Sequence, residues 1–409
     1  MQSSNIESLI SQIQAQSTDA ITLNLLNITL KAHQTEAILR RESPSTILDA
    51  LQQLDVATHS LGYLYMLEAK LRQTNGKIGS DWMLLARKFL LNCNDNQIRL
   101  APKKFTGLCR TLKTQALADN QLPSLVFPFR AALLKLCPPG SKLLSSIHVD
   151  FFQACLLARW YSVAVPILDE DSYNVDQGRT ACKATDILLY CYYGSMIELG
   201  RKRYDRALDL LNLAITAPTS VVNAITIACL KRWVLVSVIH HPQMGVPSLP
   251  RHAPLPITKV ARSECGHYFE LAKLMCSVSS LENQGRGNNN ITATSSAVDF
   301  ATRHGSEWSA DGNAGLIRLV IQGNASQRVQ QLTHTYLRLD VDDPQLPSEM
   351  ELLKMIDGHR VDARISDRNK VVTFGREMEG GEGDDSGKLE YLITRVFNLQ
   401  KKVTEFSNM

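Results

Sequence analysis

The 409 residues contain no apolar run approaching the ~18 that a membrane helix needs. The closest stretch, 225–239, is cut in the middle by Lys231 and Arg232. The opening residues, MQSSNIESLISQIQAQST, are polar and interrupted, unlike the charged-then-apolar build of a secretory signal. Neither sign of charge prevails: 44 basic against 40 acidic side chains leave +4, too thin an excess to imply a nucleic acid or a membrane surface as partner. The nine cysteines form no C-x-x-C pair, which removes the commonest zinc and redox patterns. Most sit in apolar helical context, as Cys155 does in FFQACLLARW, and read as buried reduced thiols. Thiols stay reduced in the cytoplasm and nucleus, and the chain is expected there.

The motifs of common chemistries are missing as well. There is no G-x-x-x-x-G-K-S/T phosphate loop, no G-x-S-x-G elbow and no H-E-x-x-H or H-x-H pair for a metal-activated water. Gly285-Arg286-Gly287 lies in a polar low-complexity stretch and follows no strand. His240, His241, His252 and Cys265 are the one cluster to weigh as metal ligands, and their spacing fits no zinc pattern. Glu379, Glu382, Asp384 and Asp385 lie among glycines, with nothing to raise a carboxyl pKa, and read as a solvated linker. Local spacing therefore predicts no catalytic residue, no metal and no cofactor.

What is present is helix. Apolar residues make up 44% of the chain, enough for a large core. Over 45–70, Ile47, Leu51, Leu54, Leu61, Leu64 and Leu67 recur at helical spacing, and 143–160 continues in the same way. Tyr192 to Pro218 reads as a helix, a turn near Gly200 and a second helix, with Gly194, Tyr204, Ala207, Leu211 and Ala214 at contact positions, like one tetratricopeptide unit. The proline-rich stretch 240–256 is a loop, and 281–297 is a polar insertion. From 310 the pattern changes. Helices are predicted over 314–321, 327–339 and 348–357, the last with Met350, Leu353 and Ile356 as its buried stripe. Two strand-like runs follow, Val361–Ile365 and Lys370–Phe374, the order of a winged helix. After an acidic glycine-rich linker, Leu389, Leu392, Val396, Leu399, Val403 and Phe406 form a heptad seam.

Helical repeats, a winged helix and a terminal helix are the layout of the PCI family, found in the proteasome lid, the COP-9 signalosome and a translation initiation factor. The chain resembles that family, and its signalosome branch most, in LSSIHVDFFQACLLARWYSVAVPILD from Leu144, YCYYGSMIELGRKRYDRALDLLNLAITAP from Tyr190, QRVQQLTHTYLRL from Gln327 and MIDGHRVDARISDRNKVVTF from Met355. The expected fold is mostly α: a TPR-like helical-repeat solenoid, a winged-helix subdomain and a C-terminal bundle helix. The expected division is 1–200 for the repeats and 201–376 for the PCI domain, helical over 201–309 and winged over 310–376. A linker at 377–387 and a helix at 388–409 complete it.

The resemblance implies a non-catalytic scaffold within a hetero-oligomer of PCI and MPN subunits. In the signalosome branch that assembly removes a ubiquitin-like modifier from the cullins of ubiquitin ligases, and a metalloprotease-like partner carries the chemistry. The expected partner interfaces are the hairpin (Val361, Ala363, Ile365, Val372 and Phe374) and the terminal helix seam. A proteasome-lid or initiation-factor scaffold and a nucleic-acid-binding PCI protein are the competing readings. Arg360, Arg364, Arg368 and Lys370 favour the last, but Asp357, Asp362 and Asp367 alternate with them, and Glu349 and Glu351 make the preceding helix acidic, a surface that repels phosphate.

Overall fold

The computed structural model describes residues 3–17, 20–73, 79–171, 173–218, 221–241, 245–282, 297–341, 346, 349–357, 361–366 and 370–374. Regular structure among them is almost all α-helix, with one three-stranded sheet. The chain forms two compact units, one of residues 1–276 with 301–317 and the other of 277–300 with 318–409. The acidic linker and the heptad seam from Leu389 to Phe406 lie outside the described residues.

The helical unit is a succession of helices, each packed on its neighbours. The apolar pattern over 45–70 is carried by two helices, Pro44–Gln53 and Ser60–Gln73. The first starts on a Ser43 cap, whose hydroxyl accepts from the Thr46 N–H, with Pro44 at the first helical position, where its missing N–H costs nothing. Between the two, Asp55 accepts from both the N–H and the hydroxyl of Thr58, a local turn that competes with the helical ladder.

The expected helical hairpin is present as Ala184–Gly200 and Tyr204–Thr216, and Ala224–His240 packs on the second helix. Ala207, Leu211 and Ala214 are buried at the contact. Gly194 permits a close approach. A Cβ there would lie 3.0 Å from Leu168 Cδ1 and 3.2 Å from Leu210 Cδ1.

Helix Ser146–Ala158 is buried on almost every side, as suits its near-continuous apolar sequence. The Ser145 N–H donates to His148 Nδ1 at 3.1 Å and the Ser145 hydroxyl accepts from Ile147 N–H, closing the first turn. Phe151 and Phe152 are fully buried, worth roughly 1.5–3 kcal/mol each in transfer free energy. Charged pairs tie this helix to its neighbours. Lys113 Nζ donates to Asp150 of this helix at 2.5 Å, and Arg110, on the same helix as Lys113, meets Asp186 of Ala184–Gly200 at 3.2 Å. Burial pushes the Asp150 carboxyl up, and Lys113 opposes that without cancelling it. All nine cysteines are buried and unbridged, as expected, and burial pushes thiols such as Cys137, Cys155 and Cys229 up to about 12.

Candidate protein–protein interface

The sheet lies in the second unit. Its strands are β1 (Arg338–Asp340), β2 (Ala363–Ser366) and β3 (Val371–Phe374), in the order β1-β3-β2, with both pairings antiparallel. Register places Leu339 and Ile365 on either side of Val372, and Arg338 and Arg364 on either side of Thr373. Side chains alternate across a strand, so each strand gives one residue in two to the core. That core comprises Val329, Leu352, Met355, Val361, Ala363, Val372 and Phe374, with Leu332, Leu339, Ile356 and Ile365 packed at its margin.

This arrangement changes what the hairpin offers. Val361, Ala363, Val372 and Phe374 are buried in this core, and Ile365 is half-buried at its margin. The outer face instead carries Arg338 and Arg364 flanking Thr373, and Asp340 and Ser366 flanking Val371. β2 is an edge strand: within the described sheet it pairs only with β3, and its far side carries backbone groups that a partner strand would satisfy.

Two expectations before the hairpin are corrected. Helices 314–321 and 327–339 are one helix, Ala314–Thr335, and residues 338–340 leave it to form β1, where the Phe374 N–H donates to the Leu337 carbonyl at 2.9 Å. Helix Glu349–Asp357 buries Leu352 and Met355, not Met350 and Leu353. Met350 is 68% exposed and Leu353 50% exposed. Three residues apart, they share a helix face, an apolar one that sequence reasoning turned inward.

The weighed ligand cluster is not assembled. The His240 imidazole pairs with the Asp205 carboxylate and meets His241 edge to face, His252 is exposed and Cys265 is buried. Among the described residues these four give no group of three converging ligands. A separate cleft of about 370 Å³ in the helical unit is lined by Lys103, Arg110 and Lys183 with Gln177 and Ser146, and Arg110 there is already engaged by Asp186.

Residues 22–255 match the family model described as "COP9 signalosome complex subunit 3, N-terminal helical repeats". The chain is 31% identical to COP9 signalosome complex subunit 3 of Arabidopsis thaliana, over 98% of this chain and 90% of that protein. The chain belongs to the COP9 signalosome subunit 3 family. A second family member, from Dictyostelium discoideum, is 30% identical over 93% of this chain and 88% of its own length. The family's repeat region covers the helices from Thr22 to the far side of Ala224–His240, including the Tyr192–Pro218 hairpin. The likeness to the Arabidopsis member continues through the sheet-bearing unit.

Proposed function

We propose that this chain is a non-catalytic scaffold subunit of a COP9 signalosome, supporting removal of a ubiquitin-like modifier from the cullins of ubiquitin ligases. The observation that carries this reading is the likeness to two proteins named as subunit 3 of that complex, each over more than nine-tenths of this chain. The side-chain chemistry is consistent with a scaffold. Its thiols are held in the uncharged form by burial, and burial pushes the His148 imidazole down to about 4, so it stays neutral near pH 7. The partners are other PCI and MPN subunits, met through the β2 edge, the Met350–Leu353 face and the apolar seam that the sequence places at Leu389, Leu392, Val396, Leu399, Val403 and Phe406. The chain works in the cytoplasm and nucleus.

A tagged chain recovered gently from extract is expected to bring down a set of PCI and MPN subunits that includes the metalloprotease-like one, and its depletion to leave cullins carrying the modifier. Proteasome-lid or initiation-factor companions, or unchanged cullins, would refute the assignment. Removal of 388–409 is expected to leave a folded chain that enters the complex poorly.

A further inference from the structure

Two His-x-x-Glu pairs face each other in the helical unit. His267 and Glu270 lie in the first turns of helix Gly266–Glu282, and His304 and Glu307 at the start of helix Gly305–Ala310. Within each pair the imidazole Nδ1 lies near the carboxylate three residues on, at 3.9 Å for His267 and 3.4 Å for His304. The two imidazoles meet with ring centroids 4.4 Å apart. One ligand atom each from His267, His304 and Glu307 all fall within 4.8 Å of one another, the one such group of three among the described residues.

The backbone under these donors is fixed by their immediate neighbours in sequence. Tyr268, next to His267, and Trp308, next to Glu307, are both buried and pack edge to face at 4.7 Å. The Trp308 indole N–H donates to the Ala301 carbonyl at 3.0 Å. The Tyr268 hydroxyl donates to Asp311 at 2.7 Å and accepts from the Asn313 amide at 3.0 Å, while Lys231 donates to the same Asp311 carboxylate at 2.8 Å. These contacts hold the two backbone segments in place, so the imidazoles and carboxylates that project from them keep their mutual position.

We propose that His267, His304 and Glu307 bind a divalent transition metal of the zinc class, with the Glu270 carboxylate beside them as a fourth donor. Two imidazoles with carboxylate oxygen suit such an ion better than calcium or magnesium, which prefer all-oxygen shells. A tetrahedral ion with bonds of ~2.0–2.1 Å wants its donors about 3.4 Å apart, within reach of rotamer adjustment at the exposed ends of these side chains. Local spacing conceals the site because its two histidines stand 37 positions apart in the sequence.

The test uses the full chain, stripped with chelator and titrated calorimetrically with zinc chloride. Uptake of about one equivalent is expected, weakened about ten-fold or more in H267A, in H304A and in E307Q. H240A/H241A, at the other adjacent histidine pair, is expected to bind as the unaltered chain does. Copper(II) supplies a second readout: the His304 ring lies 6.0 Å from the Trp308 ring, so bound copper quenches indole fluorescence saturably, and H267A loses the effect. Should H304A fail to fold, H267A, whose side chain is half exposed, still decides the matter. No saturable zinc uptake, uptake unchanged in H267A and E307Q, or uptake that disappears with His240 and His241 instead would each overturn the proposal.

Discussion

The helical unit buries polar side chains, whereas the described core of the sheet unit is wholly apolar. Glu198, Asp150, Asp186, His148 and Gln97 are all nearly inaccessible in the first, each beside a charged or hydrogen-bonding neighbour, although both Glu198 oxygens and Asp150 Oδ2 accept no hydrogen bond among the described residues. Glu198 lies 3.0 Å from Arg203, Asp150 pairs with Lys113, and Gln97 accepts from the Leu61 N–H and donates to the Thr58 carbonyl. No buried polar or charged side chain occurs among the described residues of 318–374. Such networks specify one packing and are costly to break. A small apolar core specifies less and leaves edges open. The contrast teaches that the two units fail under different insults: the first to acid, the second to any charge placed in its core.

The largest effect is therefore expected from V372D. Val372 is fully inaccessible, lies in the central strand and faces Leu339 on one side and Ile365 on the other. A carboxylate there has no partner, and a loss of about 4 kcal/mol is expected. Hydrogen exchange reads the outcome: Val371–Phe374 amides lose protection while those of Ala184–Gly200 keep theirs. Retained protection in the strand would mean that the sheet does not depend on this core.

Acid gives the next largest effect, in the other unit. Burial pushes the His148 imidazole down to about 4 in the folded chain, against an ordinary value of 6.5. The unfolded chain thus takes up a proton from about pH 6.5 downward while the folded chain refuses it until about pH 4. Stability contributed by the neutral imidazole is whole above pH 6.5 and falls through that window, by roughly 3 kcal/mol at its end. H148Q keeps an acceptor for the Ser145 N–H and removes the titration. Its denaturation midpoint is expected to be flatter between pH 6.5 and 5 than that of the unaltered chain, and an equal slope in both would show that other groups carry the acid sensitivity.

These contrasts were only partly legible in the sequence. The Tyr192–Pro218 hairpin was readable because small residues at Gly194, Ala207 and Ala214 mark close helix contacts and Gly200 marks the end of the first helix. The strands at 361–374 were readable from alternation. The phase of helix Glu349–Asp357 was not, because Leu352 and Leu353 stand side by side and either fits an amphipathic stripe; the sheet selects Leu352. β1 was hidden for a related reason. Leu332, Tyr336 and Leu339 keep helical spacing, and only pairing with Val371–Thr373, distant in sequence, pulls 338–340 out of the helix. The break at Asp55 depends on one side chain reaching Thr58, a local competition that apolar periodicity does not register.

The misread phase supplies the smallest and most discriminating prediction, at Met350 and Leu353. Single exposed apolar side chains are ordinary, but here two share one face of a helix whose other face carries the core. If that face is reserved for another subunit, M350S/L353S changes the stability of the isolated chain by less than about 0.5 kcal/mol, because neither side chain leaves a packed environment. Recovery of partner subunits is expected to fall several-fold, because the apolar area that a partner would cover is gone. V372D, by contrast, removes stability and capture together. A thermal midpoint lowered by the equivalent of more than about 1 kcal/mol would return these residues to the core, and full capture by the doubly substituted chain would move the interface to the β2 edge or elsewhere.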